Sequence, residues 1–192
     1  MPQSFFCVSV MFKQSIILIL FLLISCSDQK DNRAQEQTTK DVAEVIEKVE
    51  PKNPSRPIAF VKTTDGSNLI IPEAMFDTDA AKEFLATGKN IYVGDAEAIK
   101  MGKKRYNLWS CTQCHGPTAK GQVGPGLTGP DFRYPKDATN KGMFETIWAG
   151  TNGGMGAKGF GLMTADDGVT PDELLKIIAF IRSNGSITGN EE

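Results

Sequence analysis

The sequence predicts an all-α domain with a small β-hairpin extension at its N-terminal side, on three observations. Four stretches between Asp79 and Gly185 carry helical spacing or helix start and stop residues. The β-like runs at residues 58–61 and 69–71 are short and flank Asp65-Gly66, a hairpin turn signal. Residues 58–185, about 130 in all, suffice for one hydrophobic core and not for two.

Taken in order, residues 79–86 read as a short helix stopped by Gly88. A longer one runs from about Asp95, a good N-cap, to Cys111. A third lies near residues 141–148 and ends at Gly150. The clearest is the last. Thr170-Pro171-Asp172-Glu173 is a capping box with proline at the first helical position. Leu174, Leu175, Ile177, Ile178, Phe180 and Ile181 follow, Gly185 stops the helix, and residues 186–192 form a C-terminal tail. Gly102 and Tyr106 lie one turn apart on the second helix. A glycine inside a helix costs about 1 kcal/mol, so a packing reason is expected: the last helix crosses closely there, with Phe180 or Ile181 against Tyr106.

Cys111-Thr112-Gln113-Cys114-His115 reads C-x-x-C-H, the attachment signature of c-type haem, and His115 is the only histidine in the chain. Each thiol can form a thioether to a porphyrin vinyl group, and the next residue supplies an imidazole to the iron. A single histidine excludes bis-histidine ligation, a Cys₂His₂ zinc site and a Ser-His or Cys-His dyad outside the haem pocket. The competing readings are half of a zinc knuckle or a redox dithiol. Zinc lacks a fourth ligand beside Cys111, Cys114 and His115, and a thioredoxin-like site needs a βαβ context missing here.

The N-terminus agrees. Residues 15–24 are an apolar run of about ten, too short for a bilayer that needs ~20, preceded by Lys13 and followed by Ser25-Cys26. Residues 1–25 are therefore expected to be a signal peptide, with Met11 an alternative start. The site resembles a lipobox in which Cys26 becomes lipid-modified; the plain alternative is a soluble export signal that happens to end in cysteine. Ser27 after Cys26 points to the outer membrane, so the expected place is the periplasm, on a lipoprotein anchor. Covalent haem attachment itself requires export. With Cys7 removed and Cys26 acylated, the two remaining cysteines belong to the haem and no disulfide is left to form. Residues 26–57 read as a polar tether, with a short helical pattern at Val42, Val45, Ile46 and Val49. Such a tether could reach ~100 Å at ~3.3 Å per residue.

The iron's far side needs methionine, lysine or nothing. The candidates are Met75, Met101, Met143, Met155 and Met163; Met101 shares a helix with the haem motif and cannot swing across, and Met143 sits at a core position with Ile147 and Trp148. Met155 lies in Thr151-Asn-Gly-Gly-Met155-Gly, where glycines let the backbone approach a porphyrin. Met163, in a second Gly-rich loop, is the alternative distal ligand, and lysine or an open position stays possible on the residues alone. His/Met ligation raises the reduction potential relative to bis-His. Pro125, in Gly124-Pro125-Gly126-Leu127, could offer its carbonyl to the other ring nitrogen of His115, or could only shape the loop. Leu127 belongs to the same pocket wall, and Trp148 could pack on the haem edge or be plain core.

The order of helix, C-x-x-C-H, Gly-Pro-x-Leu, distal methionine loop and C-terminal helix resembles the class I c-type cytochromes. The chain is similar, over roughly residues 58–184, to the narrower cytochrome cL family. The matching segments are Phe84-Leu-Ala-Thr-Gly-Lys-Asn90, Cys111-Thr-Gln-Cys-His-Gly116, Gly121-Gln-Val-Gly-Pro-Gly-Leu127, Tyr134-Pro135, Lys141-Gly-Met-Phe-Glu-Thr-Ile147 and Gly150-Thr-Asn-Gly-Gly-Met155-Gly156. The resemblance implies one covalent haem c, Met155 as distal ligand, and a role as electron acceptor of a periplasmic PQQ-dependent methanol dehydrogenase, nearest the lanthanide-dependent type. It implies a carrier and not an enzyme, passing electrons on to a downstream cytochrome or oxidase. Two departures stand out: the family is typically soluble where this chain is expected to be tethered, and Tyr106-Asn-Leu-Trp-Ser-Cys111 is one residue longer than in many cytochromes.

The charge balance, 21 basic against 23 acidic residues, argues against a nucleic-acid partner. Lys100, Lys103, Lys104 and Arg105 form either a solvated helix face or a rim that steers an acidic partner to the haem edge. Two other functions compete with the leading one: a general tethered shuttle for another respiratory enzyme, and a haem enzyme or gas sensor with an open distal site.

Overall fold

A computed structural model describes residues 57–190; the expected signal peptide, Cys26, the tether and its helical pattern, and residues 191–192 lie outside the described residues. The chain enters through a minimal antiparallel hairpin, β1 (Phe60–Val61) and β2 (Asn68–Leu69), in register Phe60 to Leu69 and Val61 to Asn68. The Asp65 carboxylate closes the turn by accepting from the backbone N–H and the hydroxyl of Ser67, at 2.9 and 2.7 Å. The ladder is shorter than the sequence suggests. Ile70 points into solvent, and the chain leaves the strand through Pro72 into a 3₁₀ turn, Glu73–Met75.

Helix α1 (Asp79–Thr87) starts at Thr78, whose hydroxyl accepts from Ala81 N–H, and ends at Gly88 in the left-handed region at φ 78°. Helix α2 (Ala96–Leu108) is capped by the Asp95 carboxylate accepting from Ala98 N–H at 2.7 Å. The expected continuation into the cysteine motif is broken: Ser110 adopts φ 58°, and a separate five-residue helix, α3 (Cys111–His115), starts after it. Helix α4 (Asn140–Ala149) follows a 3₁₀ turn, Pro135–Ala138. Helix α5 (Pro171–Ser183) carries the full capping box, with Thr170 and Glu173 bonding each other's backbone.

Helices α2 and α5 cross at Gly102. A Cβ there would lie 1.9 Å from the Lys176 carbonyl oxygen, so only glycine allows this approach. One turn on, the Tyr106 ring meets Phe180 with centroids 5.2 Å apart and planes tilted by 58°. Beneath the crossing lie Leu174, Leu175, Ile177, Ile178 and Ile181, each buried. Each such side chain stabilises the fold by about 1.5–3 kcal/mol relative to exposure.

Helix α4 is the central element: eight of its ten residues are buried, as befits a helix packed on several sides. Its Phe144 stacks in one aromatic cluster with Phe60, Phe76, Phe84 and Trp148, at centroid distances of 4.9–6.2 Å. The hairpin thus covers one side of the core. It is also tied there by Val61 N–H donating to the Glu145 carboxylate at 2.9 Å. That buried carboxylate is neutralised by Lys136 at 2.8 Å and by Lys141. The residues after α5 do not leave the domain. Gly189 C=O accepts from Asn140 N–H, and the Asn190 side-chain oxygen accepts from Asn90 N–H and from Asn140 Nδ2. Among the described residues no helix is long and apolar enough to cross a membrane.

Candidate haem site

The left-handed Ser110 turns the chain so that α3 presents Cys111 half-buried, Cys114 exposed and His115 buried. The two thiols are not joined to each other. Burial pushes the Cys111 thiol up to about 11, so it stays protonated at neutral pH, with the ammonium of Lys158 pulling the other way.

The loop after His115 folds back onto α3. Tyr106 donates its hydroxyl to Gly116 C=O at 2.9 Å, Gly121 N–H bonds His115 C=O at 3.0 Å, and Gly124 N–H bonds Cys114 C=O at 2.7 Å. Burial drives the Tyr106 phenol far above its ordinary range, so this donor stays protonated. The fold-back carries the Pro125 carbonyl to 2.8 Å from His115 Nδ1. A carbonyl only accepts, so Nδ1 carries the proton and Nε2 keeps its lone pair for a metal.

Opposite stands the loop after α4. Thr151 N–H bonds Met155 C=O at 2.8 Å, Gly159 N–H bonds Trp148 C=O at 3.0 Å, and Asn152 Nδ2 donates to Thr64 C=O at 2.8 Å in the hairpin turn. Between the loops lies a cleft with two adjoining lobes of about 320 and about 220 Å³, both lined by His115 and Met155. Cys111, Cys114 and Lys158 border the larger lobe. Leu127, Arg133, Tyr134, Asp137, Thr146 and Thr151 border the smaller.

The other candidates stand elsewhere. Met163 is half-exposed and outside the cleft lining; Met143 is core; Met101 is on the outer face of α2; Met75 packs against the core from the 3₁₀ turn. Trp148 is 2% exposed and stacks on Phe144 behind the cleft. On the basic segment, Arg105 pairs with Glu173 at 3.0 Å and Lys100 with Glu97 at 3.5 Å, while Lys103 and Lys104 face solvent. Arg133, Asp137, Thr146 and Thr151 were not legible as cleft residues. Nothing in their spacing marks them: Arg133 and Asp137 flank the Tyr134-Pro135 match, and Thr146 and Thr151 lie within matched segments without standing out there.

The donor set fits a covalently attached haem. Two thiols border one lobe, an imidazole has its tautomer fixed by a carbonyl, and a thioether lines the same cleft as that imidazole. A buried indole N–H, Trp109 Nε1, is left without a partner beside this motif. Among the described residues no cluster of three or more His, Cys, Asp or Glu side chains is arranged to hold a bare metal ion.

This is the class I cytochrome c fold, mostly helical with a two-stranded sheet at its N-terminal side, and residues 99–185 match the cytochrome c family. Its cofactor is one covalently bound haem c, and the family comprises electron-transfer proteins rather than enzymes. Within it, the chain is 38% identical over 132 residues to cytochrome c-L of Methylorubrum extorquens, covering 67% of this chain and 63% of that relative's length. Two crystal structures are similar, each with a TM-score of 0.57. Cytochrome cL from the marine methylotroph Methylophaga aminisulfidivorans is 38% identical over 66% of this chain and 80% of its own. That from Hyphomicrobium denitrificans is 39% identical over 66% and 73%. The chain belongs to the cytochrome cL family.

Proposed function

We propose that this chain carries single electrons from a periplasmic PQQ-dependent methanol dehydrogenase to a downstream cytochrome or oxidase. The observation that carries the proposal is that His115 and Met155 line one cleft, in a chain of the cytochrome cL family. Haem, when bound, supplies a one-electron couple that needs no substrate bond. In this reading Cys111 and Cys114 would hold it by thioethers, and His115 Nε2 and Met155 Sδ would bind its iron. The Pro125 carbonyl fixes the imidazole and Leu127 contributes apolar wall. With both residues bound to it the iron would have no place for a small ligand, which favours a shuttle over a gas sensor or haem enzyme. Two turnovers of the carrier remove the two electrons of one alcohol oxidation.

The same proposal places the protein in the periplasm, anchored through a lipid on Cys26 at the outer membrane. The residues ahead of the domain then serve as a tether long enough to reach soluble partners. Lys103 and Lys104, exposed beside the motif helix, would steer an acidic partner and give association a salt dependence.

The test is stopped-flow mixing of the oxidised holoprotein with methanol and a PQQ methanol dehydrogenase, of calcium or lanthanide type, at several salt concentrations. Rapid saturable haem reduction that slows as salt rises is the expected result. A stable holoprotein that neither type reduces would remove this donor and leave a shuttle serving another enzyme.

A further inference from the structure

The smaller lobe of the cleft mixes apolar lining, Leu127 and Phe132 among it, with polar side chains, and Asp137 and Thr146 form part of its wall. Asp137 is 5% exposed, an unusual burial for a carboxyl. Its carboxylate accepts from the Thr146 hydroxyl at 2.7 Å. With its O–H directed at Asp137, Thr146 Oγ1 accepts from the Thr63 hydroxyl at 3.0 Å.

Two of the nearby cations hydrogen-bond groups other than the Asp137 carboxylate. Lys136 gives its ammonium to Glu145 at 2.8 Å. Arg182, from α5, donates Nη2 to the Asp137 backbone carbonyl at 2.7 Å and Nε to Asn140 at 3.0 Å. From α4, Glu145 faces the group as a second negative charge, itself held by Lys136, Lys141 and Val61 N–H. Arg133 and Tyr134 border the same lobe, Arg133 exposed to solvent. Burial pushes Asp137 up to about 6, against the Thr146 hydrogen bond and the charges of Lys136 and Arg182, with Glu145 adding to the rise. A group so placed titrates near physiological pH.

Cys111 and Cys114 border only the larger lobe, so Asp137 stands at the end of the cleft away from the thioether attachment. A carboxylate in that low-dielectric wall favours whichever redox state carries the extra positive charge, the oxidised one. On the reading that haem fills this cleft, we infer that Asp137 couples a proton to the electron: its carboxyl takes a proton from water when the centre is reduced and releases it on oxidation. The electron comes from the donor and the proton from solvent, so charge in the cleft is held nearly constant through the cycle. By linkage, each tenfold fall in proton concentration lowers the potential by up to about 59 mV while the group titrates.

The test is potentiometric titration of the wild-type holoprotein and of Asp137→Asn at pH values on both sides of about 6. The wild-type potential should fall as pH rises, and Asp137→Asn should hold a nearly constant value close to the wild type's acid limit. Thr146→Val, which removes a hydrogen bond to the ionised form, should move the wild-type bend to higher pH. Redox-difference infrared spectra of the unaltered protein give a check that needs no variant: a protonated-carboxyl band should grow on reduction. An Asp137→Asn protein that keeps the wild-type slope, or spectra without a carboxyl signal, would overturn the inference and leave the carrier reading intact. A chain without a reversible haem couple would overturn both.

Discussion

Substituting Gly102 by alanine separates helix propensity from helix packing. In an exposed helix the change would stabilise by about 1 kcal/mol. Here the added Cβ would lie 1.9 Å from Lys176 O and 2.5 Å from Lys176 C, where ordinary contact begins at 3.4 Å. The obstacle is backbone in the middle of α5, so no rotamer change relieves it. Helices α2 and α5 must part by about 1.5 Å, loosening the contact of Tyr106 with Phe180 and the packing over Leu174, Ile177 and Ile178. Overpacking a tight core typically costs 1–3 kcal/mol, and this displacement spans a whole interface, so a net loss of about 2 kcal/mol or more is expected. Denaturant unfolding of the holoprotein, followed by circular dichroism, reads it as a lower midpoint at unchanged slope. An alanine variant as stable as wild type, or more so, would refute the close crossing.

Three further outcomes follow from the same contacts. Thr170→Ala removes the α5 N-cap and half of a capping box, and should lower stability by about 1 kcal/mol in the same unfolding assay, with Thr170→Ser restoring it. Burial raises Asp172, but hydrogen bonds from Lys176, Tyr92 and Thr78 outweigh it and hold the carboxyl below its ordinary range. The folded state therefore binds this proton less readily than the unfolded chain. Its stabilising contribution is present above the ordinary carboxylate range and is lost as pH falls through it. Asp172→Asn should destabilise at neutral pH and make the acid limb of the stability profile shallower. Asp137 has the opposite sign: raised to about 6, it should cost stability as pH climbs from about 4 to about 6, a slope that Asp137→Asn removes.

What the sequence made legible was local. The capping box and apolar run of α5, the Gly88 stop and the Asp95 cap all sit within a turn of the residues they control, and each stands where the sequence puts it. Gly102 was readable because an interior glycine in a helix demands a reason, and the crossing supplies it. His115 and Pro125 are ten residues apart in a glycine-rich loop, short enough to infer their meeting at 2.8 Å. Illegible were features set by distant partners. Ser110 breaks the helix before the cysteines in a left-handed conformation that serine seldom adopts. Glu145 looks like a helix-surface residue until β1 and two lysines, one of them from the preceding 3₁₀ turn, enclose it. Asp137 acquires its place in the cleft wall only when the 3₁₀ turn packs on α4 beneath Arg182. The residues after α5, a tail by composition, are fixed by Asn90, 100 residues away, and by Asn140, 50 residues away.

The central claim is that Met155 closes the iron's far side opposite His115. The most direct measurement is the absorption spectrum of the oxidised holoprotein, scanned for the methionine-to-iron charge-transfer band in wild type, Met155→Ala and Met163→Ala. The band should be present in wild type and in Met163→Ala and absent in Met155→Ala, whose iron should turn high-spin and bind carbon monoxide when reduced. A wild-type protein already high-spin and reactive to carbon monoxide, or a band lost only with Met163, would contradict it.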